Sequence, residues 1–482
     1  MPESDRSPNI DELTASEAAA RICAGTLRSE ALVEAYIARA KAKPHLNAFV
    51  TLDADGARRA AAEVDARRAR GGPCRPLEGV PVVIKDNIHV RGLRSTAGTP
   101  ALANFVPAED APVVEKLRAA GAIVLGKTNL HELAFGITGY NPAYNTGPAP
   151  GVRNAYDSTR MAGGSSAGTG AALGARMAPA GLGTDTGGSV RIPCALNGCA
   201  ALRPTVGRYP QAGIAPISKT RDTAGPMAVS MADVELLDRV IAGGAPVAPA
   251  DLESVRLGVA APFLANMDDD TKQAFDAALD RLRAAGVTVV DVEMPGLMQL
   301  NAAVGFPLAL YEAYDGVVDY LATYRTGVTI EQLAAQIASP DVKGTYAGLV
   351  LPRKLPAPDG GVVDAAPRYR EAMAKHRPAL VALYEDTFRE HRLDALVFPT
   401  VPRTALPATP DVSSVENFLL FIQNTDPGSN AGIPGLQMPI GFGAASKLPI
   451  GIELDGPAGS DRRLIAIGLA LERVFGRLPA AK

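Results

Sequence analysis

Histidine is scarce in this chain of 482 residues, occurring only at His45, His89, His131, His376 and His391. None of the five has a sequence context that suggests an orienting carboxylate, and the serines singled out below do not lie in a Gly-x-Ser-x-Gly elbow. A serine nucleophile would therefore need a base other than the usual histidine. Cysteine is equally thin: Cys23, Cys74, Cys194 and Cys199 are too few and too scattered for a disulfide framework. Cys194 and Cys199 also lack a partnering Cys/His pair for zinc, so all four read as small buried thiols. Positive charge is not in excess, the formal net charge being −3, which argues against a nucleic-acid partner held by phosphate contacts. No apolar run approaches the roughly 18 residues of a membrane span. The amino terminus lacks the basic-then-apolar pattern of a signal peptide, so the expected location is cytoplasmic. No Ser/Gly/Pro-rich linker or charge block divides the chain, and residues 1–482 read as one unit.

What the chain does have is two clusters of glycine and hydroxyl residues, Gly163-Gly164-Ser165-Ser166-Ala167-Gly168 and Gly183-Thr184-Asp185-Thr186-Gly187-Gly188-Ser189, joined by what reads as one small-residue helix. Glycines let backbone N–H groups approach a ligand, and the serines supply hydroxyls that can attack or relay protons. The candidate base is Lys85, which follows the apolar run Val80-Pro81-Val82-Val83-Ile84. At the end of a buried strand, desolvation would lower its pKa and let it act as a neutral amine. The competing reading is a lysine whose head escapes to water and pairs with Asp86; spacing alone leaves both open.

Around these clusters the pattern is α/β. Thr14-x-x-Glu17 predicts a capping box opening a helix that stops by Gly25, with further helices over 30–41 and 54–70. Arginines in the third helix interleave with Glu63 and Asp65, which marks a solvated face. From Val80 onward short β-branched runs alternate with helical stretches, as in Val113–Ala120 followed by Ala122–Leu125, and imply a sheet with helices on its faces. Residues 121–128 match the Walker A pattern letter for letter, but the four variable positions Ala122-Ile123-Val124-Leu125 form a strand where a phosphate loop needs a turn. The region 250–425 reads as mostly helical, with strands at 287–292 and 396–399 and a helix over 367–391. Tyr311, Tyr314, Tyr320, Tyr324 and Tyr346 could line a cover over a hydrophobic substrate or simply pack. A strand at 450–454 and an amphipathic helix over 462–475 close the chain.

The two clusters and the lysine segment Val83-Ile84-Lys85-Asp86-Asn87 together resemble the amidase signature family of serine hydrolases. Further family-like pieces are Gly126-Lys127-Thr128-Asn129 with Glu132, Leu202-Arg203-Pro204-Thr205, Arg221-Asp222-Thr223-Ala224-Gly225-Pro226 and Ile433-Pro434-Gly435, so the likeness spans nearly the whole chain. It implies a large mixed β-sheet core covered by helices on both faces, a signature core over about 75–230 and a more variable, substrate-covering region over about 300–425. It also implies Ser189 as nucleophile, Ser165 as bridging serine after a cis peptide bond, and Lys85 as base. The oxyanion donors would be the backbone N–H groups of Thr186, Gly187, Gly188 and Ser189, while Asp185 and Arg191, which flank the nucleophile, read as a structural pair. No metal or organic cofactor is implied, and the partner is a small-molecule amide, with a homodimer left open.

Departures from the commonest pattern are Ala167 for glycine, Cys194 for alanine and Arg203 for lysine. The segments Arg160-Met161-Ala162-Gly163, Ile192–Gly198 and Arg221-Asp222-Thr223 look more like the indoleacetamide and mandelamide hydrolase branch than like the glutamine-dependent amidotransferase subunit. The expected reaction is hydrolysis of a small aryl or hydrophobic carboxamide through an acyl-enzyme. Carbamate or anilide hydrolysis on the same triad is the alternative, and the amidotransferase and a degenerate scaffold are the lesser ones.

Overall fold

The computed structural model describes residues 9–145, 150–357 and 360–482. The first helix, Ala15–Cys23, starts with the predicted capping box: Glu17 N–H donates to Thr14 Oγ1 at 3.1 Å, and Thr14 N–H donates to Glu17 Oε2 at 3.0 Å. Helices Ser29–Ala42 and Ala54–Ala69 follow, close to their expected bounds.

Among the described residues the strands are β1 (Phe49–Leu52), β2 (Pro81–Lys85), β3 (Ile123–Thr128), β4 (Ala180–Asp185), β5 (Ala200–Arg203), β6 (Thr223–Ala228), β7 (Arg256–Ala260), β8 (Thr288–Val292), β9 (Lys354–Pro356), β10 (Val362–Asp364), β11 (Ala395–Pro399), β12 (Gly435–Phe442) and β13 (Pro449–Asp455). Eleven of them form one mixed sheet in the order β1-β3-β2-β4-β6-β5-β12-β13-β11-β7-β8, while β9 and β10 pair separately. Parallel pairing holds β3, β2 and β4 together at one end and β11, β7 and β8 at the other, with antiparallel neighbours between. Helices supply the parallel connections, Pro112–Ala119 between β2 and β3 and Asp269–Ala284 between β7 and β8. Because β2 is flanked by strands on both sides and covered on both faces, every one of its residues is buried, which accounts for the unbroken apolar run before Lys85.

Two expectations change. The stretch between the glycine clusters is not one helix: Ala167–Gly174 is helical, and β4 then carries the chain into the second cluster. Nor are the cysteines free. Cys23 pairs with Cys74 and Cys194 with Cys199, the Cα atoms 5.8 and 4.6 Å apart. The first bridge ties the end of the opening helix to the loop before β2. The second is made possible by Gly198, whose left-handed conformation at the end of helix Arg191–Asn197 folds Cys199 back so that its N–H donates to the Cys194 carbonyl at 3.0 Å. Sequence spacing shows neither approach.

Helix Leu297–Thr323 packs against this sheet, its Val304 and Leu308 in one apolar cluster with Leu396 and Phe398 of β11. Helix Leu297–Thr323 and its neighbours bury Tyr320 and Tyr346 in an apolar cluster of their own with Leu333 and Val342. Tyr320 also meets His89 Nε2 through its hydroxyl at 2.7 Å, and Tyr311 stacks on Tyr369 at 4.2 Å. These tyrosines pack the cover together and onto the core. No helix among the described residues is long and apolar enough to cross a membrane.

Candidate active site

Lys85 ends β2 with its side chain fully buried. Its Nζ lies 2.7 Å from Ser165 Oγ and 2.8 Å from Thr184 Oγ1, with the Thr184 carbonyl at 3.4 Å. These partners are hydroxyls and a carbonyl, and none is an acid. Burial pulls the lysine down to about 7, against the opposing pull of the Asp185 and Asp222 charges. Asp86, the partner in the competing reading, turns away: it pairs with Lys127 at 3.0 Å and accepts the Thr96 N–H at 3.0 Å. Lys127, the lysine of the Walker-like run, is thus an internal counter-ion inside β3.

Ser165 precedes the small-residue helix, and the Gly164–Ser165 peptide is cis. Its carbonyl accepts the His131 N–H at 3.2 Å, while the Ser166 N–H donates to the Ser189 carbonyl at 3.0 Å and so draws the two clusters together. Ala167, the departure from glycine, is accommodated by Gly139, where a methyl group would lie only 2.6 Å from the Ala167 Cβ. The His131 ring does not serve the serines, since its Nε2 meets Asp341 at 2.9 Å and its Nδ1 meets Thr138 at 3.2 Å.

Ser189 sits between β4 and helix Arg191–Asn197, 7% exposed. Its loop is braced by Asp185, which accepts the N–H of Gly188 at 2.8 Å and of Val190 at 3.1 Å. Gly188 has a φ of +136°, and a methyl there would meet Thr425 Oγ1 at 2.3 Å, so only glycine fits. Of the four expected oxyanion donors, Gly188 is therefore already engaged by Asp185. Two further contacts hold the loop: Thr425 Oγ1 donates to the Gly187 carbonyl at 2.5 Å, and Thr186 Oγ1 donates to Asp222 Oδ1 at 2.6 Å.

Asp185 and Arg191 do pair. The guanidinium reaches both carboxylate oxygens, Nε at 3.1 Å and an Nη at 3.0 Å, and contacts Glu453 as well. Arg203 donates to Asp185 Oδ1 and to its carbonyl, each at 2.9 Å. Burial alone would oppose a charge on Asp185, but the two guanidiniums hold its carboxyl well below the usual carboxylate range. Burial and then the Glu453 charge push Asp455, two residues on along β13, far upward. A buried ion network therefore lies behind the serine loop.

Sequence reasoning named Lys85, Ser165, Ser189 and the loop glycines; the structure sets Lys85 against Ser165 and ties the Ser189 loop to Ser166 through the backbone. It missed the supporting groups Thr184, Asp222, Thr425 and Asn87, whose Nδ2 donates to Thr184 Oγ1 at 3.0 Å. Thr184 stands inside the quoted cluster, but nothing in its local pattern aims it at Lys85. Nothing local marks Thr425, which arrives from far along the chain.

The amidase family model matches residues 31–465. The mandelamide hydrolase of Pseudomonas putida is 46% identical over 97% of this chain and 92% of its own length. The indoleacetamide hydrolase of Agrobacterium vitis is 41% identical over 92% of this chain and 93% of its own. Among solved structures, the native peptide amidase of Stenotrophomonas maltophilia superposes with a TM-score of 0.80 at 31% identity, covering 98% of this chain and 99% of that one. A match of this extent, over a mixed sheet that brings a buried lysine to a serine, makes the chain an amide-hydrolysing member of the amidase signature family.

Proposed function

We propose that this enzyme hydrolyses small aryl or otherwise hydrophobic carboxamides to the acid and ammonia through Lys85, Ser165 and Ser189. The observation that carries the reading is the 2.7 Å contact between Lys85 Nζ and Ser165 Oγ in a site where burial brings the lysine to about 7. Neutral Lys85 takes the proton of Ser165, Ser165 takes that of Ser189, and Ser189 Oγ attacks the amide carbon. The N–H groups of Thr186, Gly187 and Ser189 receive the developing oxyanion, with Gly188 spent on Asp185 to hold the loop. Loss of one such donor typically raises a barrier by about 3 kcal/mol. As the C–N bond breaks, the proton returns through Ser165 to the leaving nitrogen. Water then attacks the acyl-enzyme, gives its proton to the same relay and releases the acid. The aryl preference draws on the names of the relatives, a mandelamide and an indoleacetamide hydrolase.

Ammonia release by the purified chain from phenylacetamide, indoleacetamide and mandelamide, with glutamine alongside, tests this. Turnover of an aryl amide without turnover of glutamine is expected, and Ser189→Ala should abolish it while the melting temperature holds. Silence on primary amides with release of amine from a carbamate or anilide would move the reading to those substrates. Activity retained in Ser189→Ala would end the triad assignment.

A further inference from the structure

Six of the eight side chains of the helix Val415–Ile422 are apolar, yet among them only Phe421 is buried. Val415 is 70% and Leu419 49% exposed, and Phe418 and Ile422 are half-buried. Facing it from helix Leu297–Thr323 is Phe306, 39% exposed, whose ring stacks near-parallel to that of Phe418 with centroids 6.1 Å apart. Phe418, Leu420 and Ile422 pack in part against the apolar cluster beneath them, while Val415, Leu419 and Phe306 keep an open apolar surface, and a patch of this kind marks a binding site when it adjoins one.

It adjoins the serine loop on both sides. A methyl group on Gly187 would lie 2.8 Å from Ile422 Cδ1 and 3.1 Å from an Arg221 Nη. Arg221 in turn donates to the carbonyl of Gly305, the residue before Phe306, at 3.0 Å and pairs with Asp426. Each ring-bearing helix thus comes close to Gly187, one directly through Ile422 and the other by way of Arg221, two residues before Ser189. An acyl group whose carbonyl sits against Ser189 and the loop N–H groups has apolar surface waiting for its side chain in that direction.

We propose that Phe306 and Phe418 are specificity-determining residues that receive the aryl part of the acyl group, a role that rests on the amidase reading above. Two rings at this separation present faces and edges to a third, the arrangement in which aromatic groups attract beyond their buried area. Neither ring is among the hydrogen-bond partners of Lys85, so the pair sets which acid is released and leaves the proton relay untouched.

The test compares kcat/KM for phenylacetamide and isobutyramide in the wild type, Phe306→Ala, Phe418→Ala and Phe418→Leu, together with inhibition by phenylacetate and by acetate. Each alanine variant should lose about tenfold or more on phenylacetamide, the scale of one lost aromatic contact with its buried area, mainly through KM. Isobutyramide turnover should stay within about twofold, and phenylacetate inhibition should weaken while acetate inhibition does not. Phe418→Leu, which keeps apolar bulk without a ring and guards against misfolding, should fall between. Wild-type turnover of phenylacetamide with an unchanged ratio of the two amides in all variants overturns the aryl role alone. A wild type that turns over neither amide refutes the reading of a small carboxamide substrate, and the aryl role with it.

Discussion

Two fully buried lysines stand on neighbouring parallel strands, Lys85 at the end of β2 and Lys127 within β3, and their surroundings are opposite. Lys127 is registered against Ile84, so it shares the face of Ile84 and Asp86, while Lys85 points through the other face. On one side Lys127 meets Asp86 at 3.0 Å and Ser95 Oγ at 2.7 Å; on the other Lys85 meets Ser165 and Thr184. Burial lowers both pKa values. For Lys127 the adjacent carboxylate works directly against that effect and keeps an ion pair. For Lys85 the acids stand farther off, and the amine is left near neutrality. One residue's difference in register separates a structural cation from a proposed base.

The comparison would break first at substitution. Lys85→Ala should reduce kcat by about 10²–10⁴-fold, the range of a lost general base, with little loss of melting temperature. Lys127→Ala should instead leave Asp86 buried without its cation and cost about 3–5 kcal/mol in urea unfolding, the remaining folded enzyme keeping its kcat. If the two variants lost activity per folded molecule to the same degree, the division of roles would be wrong.

The pH profile sharpens it. The relay needs the unprotonated amine, which is populated above the lysine's pKa, so kcat/KM should rise through about pH 7 and level off on the alkaline side. Asp222 raises the Lys85 pKa by its charge. Asp222→Asn should therefore move the acid limb to lower pH, whereas a purely structural loss would lower the whole curve without displacing it. The smallest effect is expected from Thr184→Val, which removes one hydroxyl partner of Lys85 at 2.8 Å and should cost about 1 kcal/mol, or roughly fivefold, in kcat/KM.

Much of the first half of the chain was legible because its signals are local. Thr14 and Glu17 cap within three residues of each other, and the apolar run into Lys85 is a strand whatever lies beside it. The Walker-like run was rightly set aside, since Ala122–Leu125 had the composition of a strand. The second half was harder. β12 was missed because Gly435, Pro439 and Gly441 interrupt its pattern, and the strand tolerates them through an irregularity at 439–441 against β13. β7 was lost among helical signals. The cysteines were misread because a bridge between Cys23 and Cys74 depends on where a helix end meets a distant loop. The tyrosines of the cover could be lining or packing until Tyr320 was seen against His89.

By itself the sequence determined the chemical inventory and its local mounting: serines in glycine loops, and a lysine closing a buried strand. These follow from residue type and near-neighbour geometry. Which partners each lysine meets was decided only by tertiary structure, as were the bracing of the serine loop by Thr425 and the meeting of Phe306 with Phe418. Those contacts join residues far apart in the chain, and their distances exist only once strand register and helix packing have placed both partners.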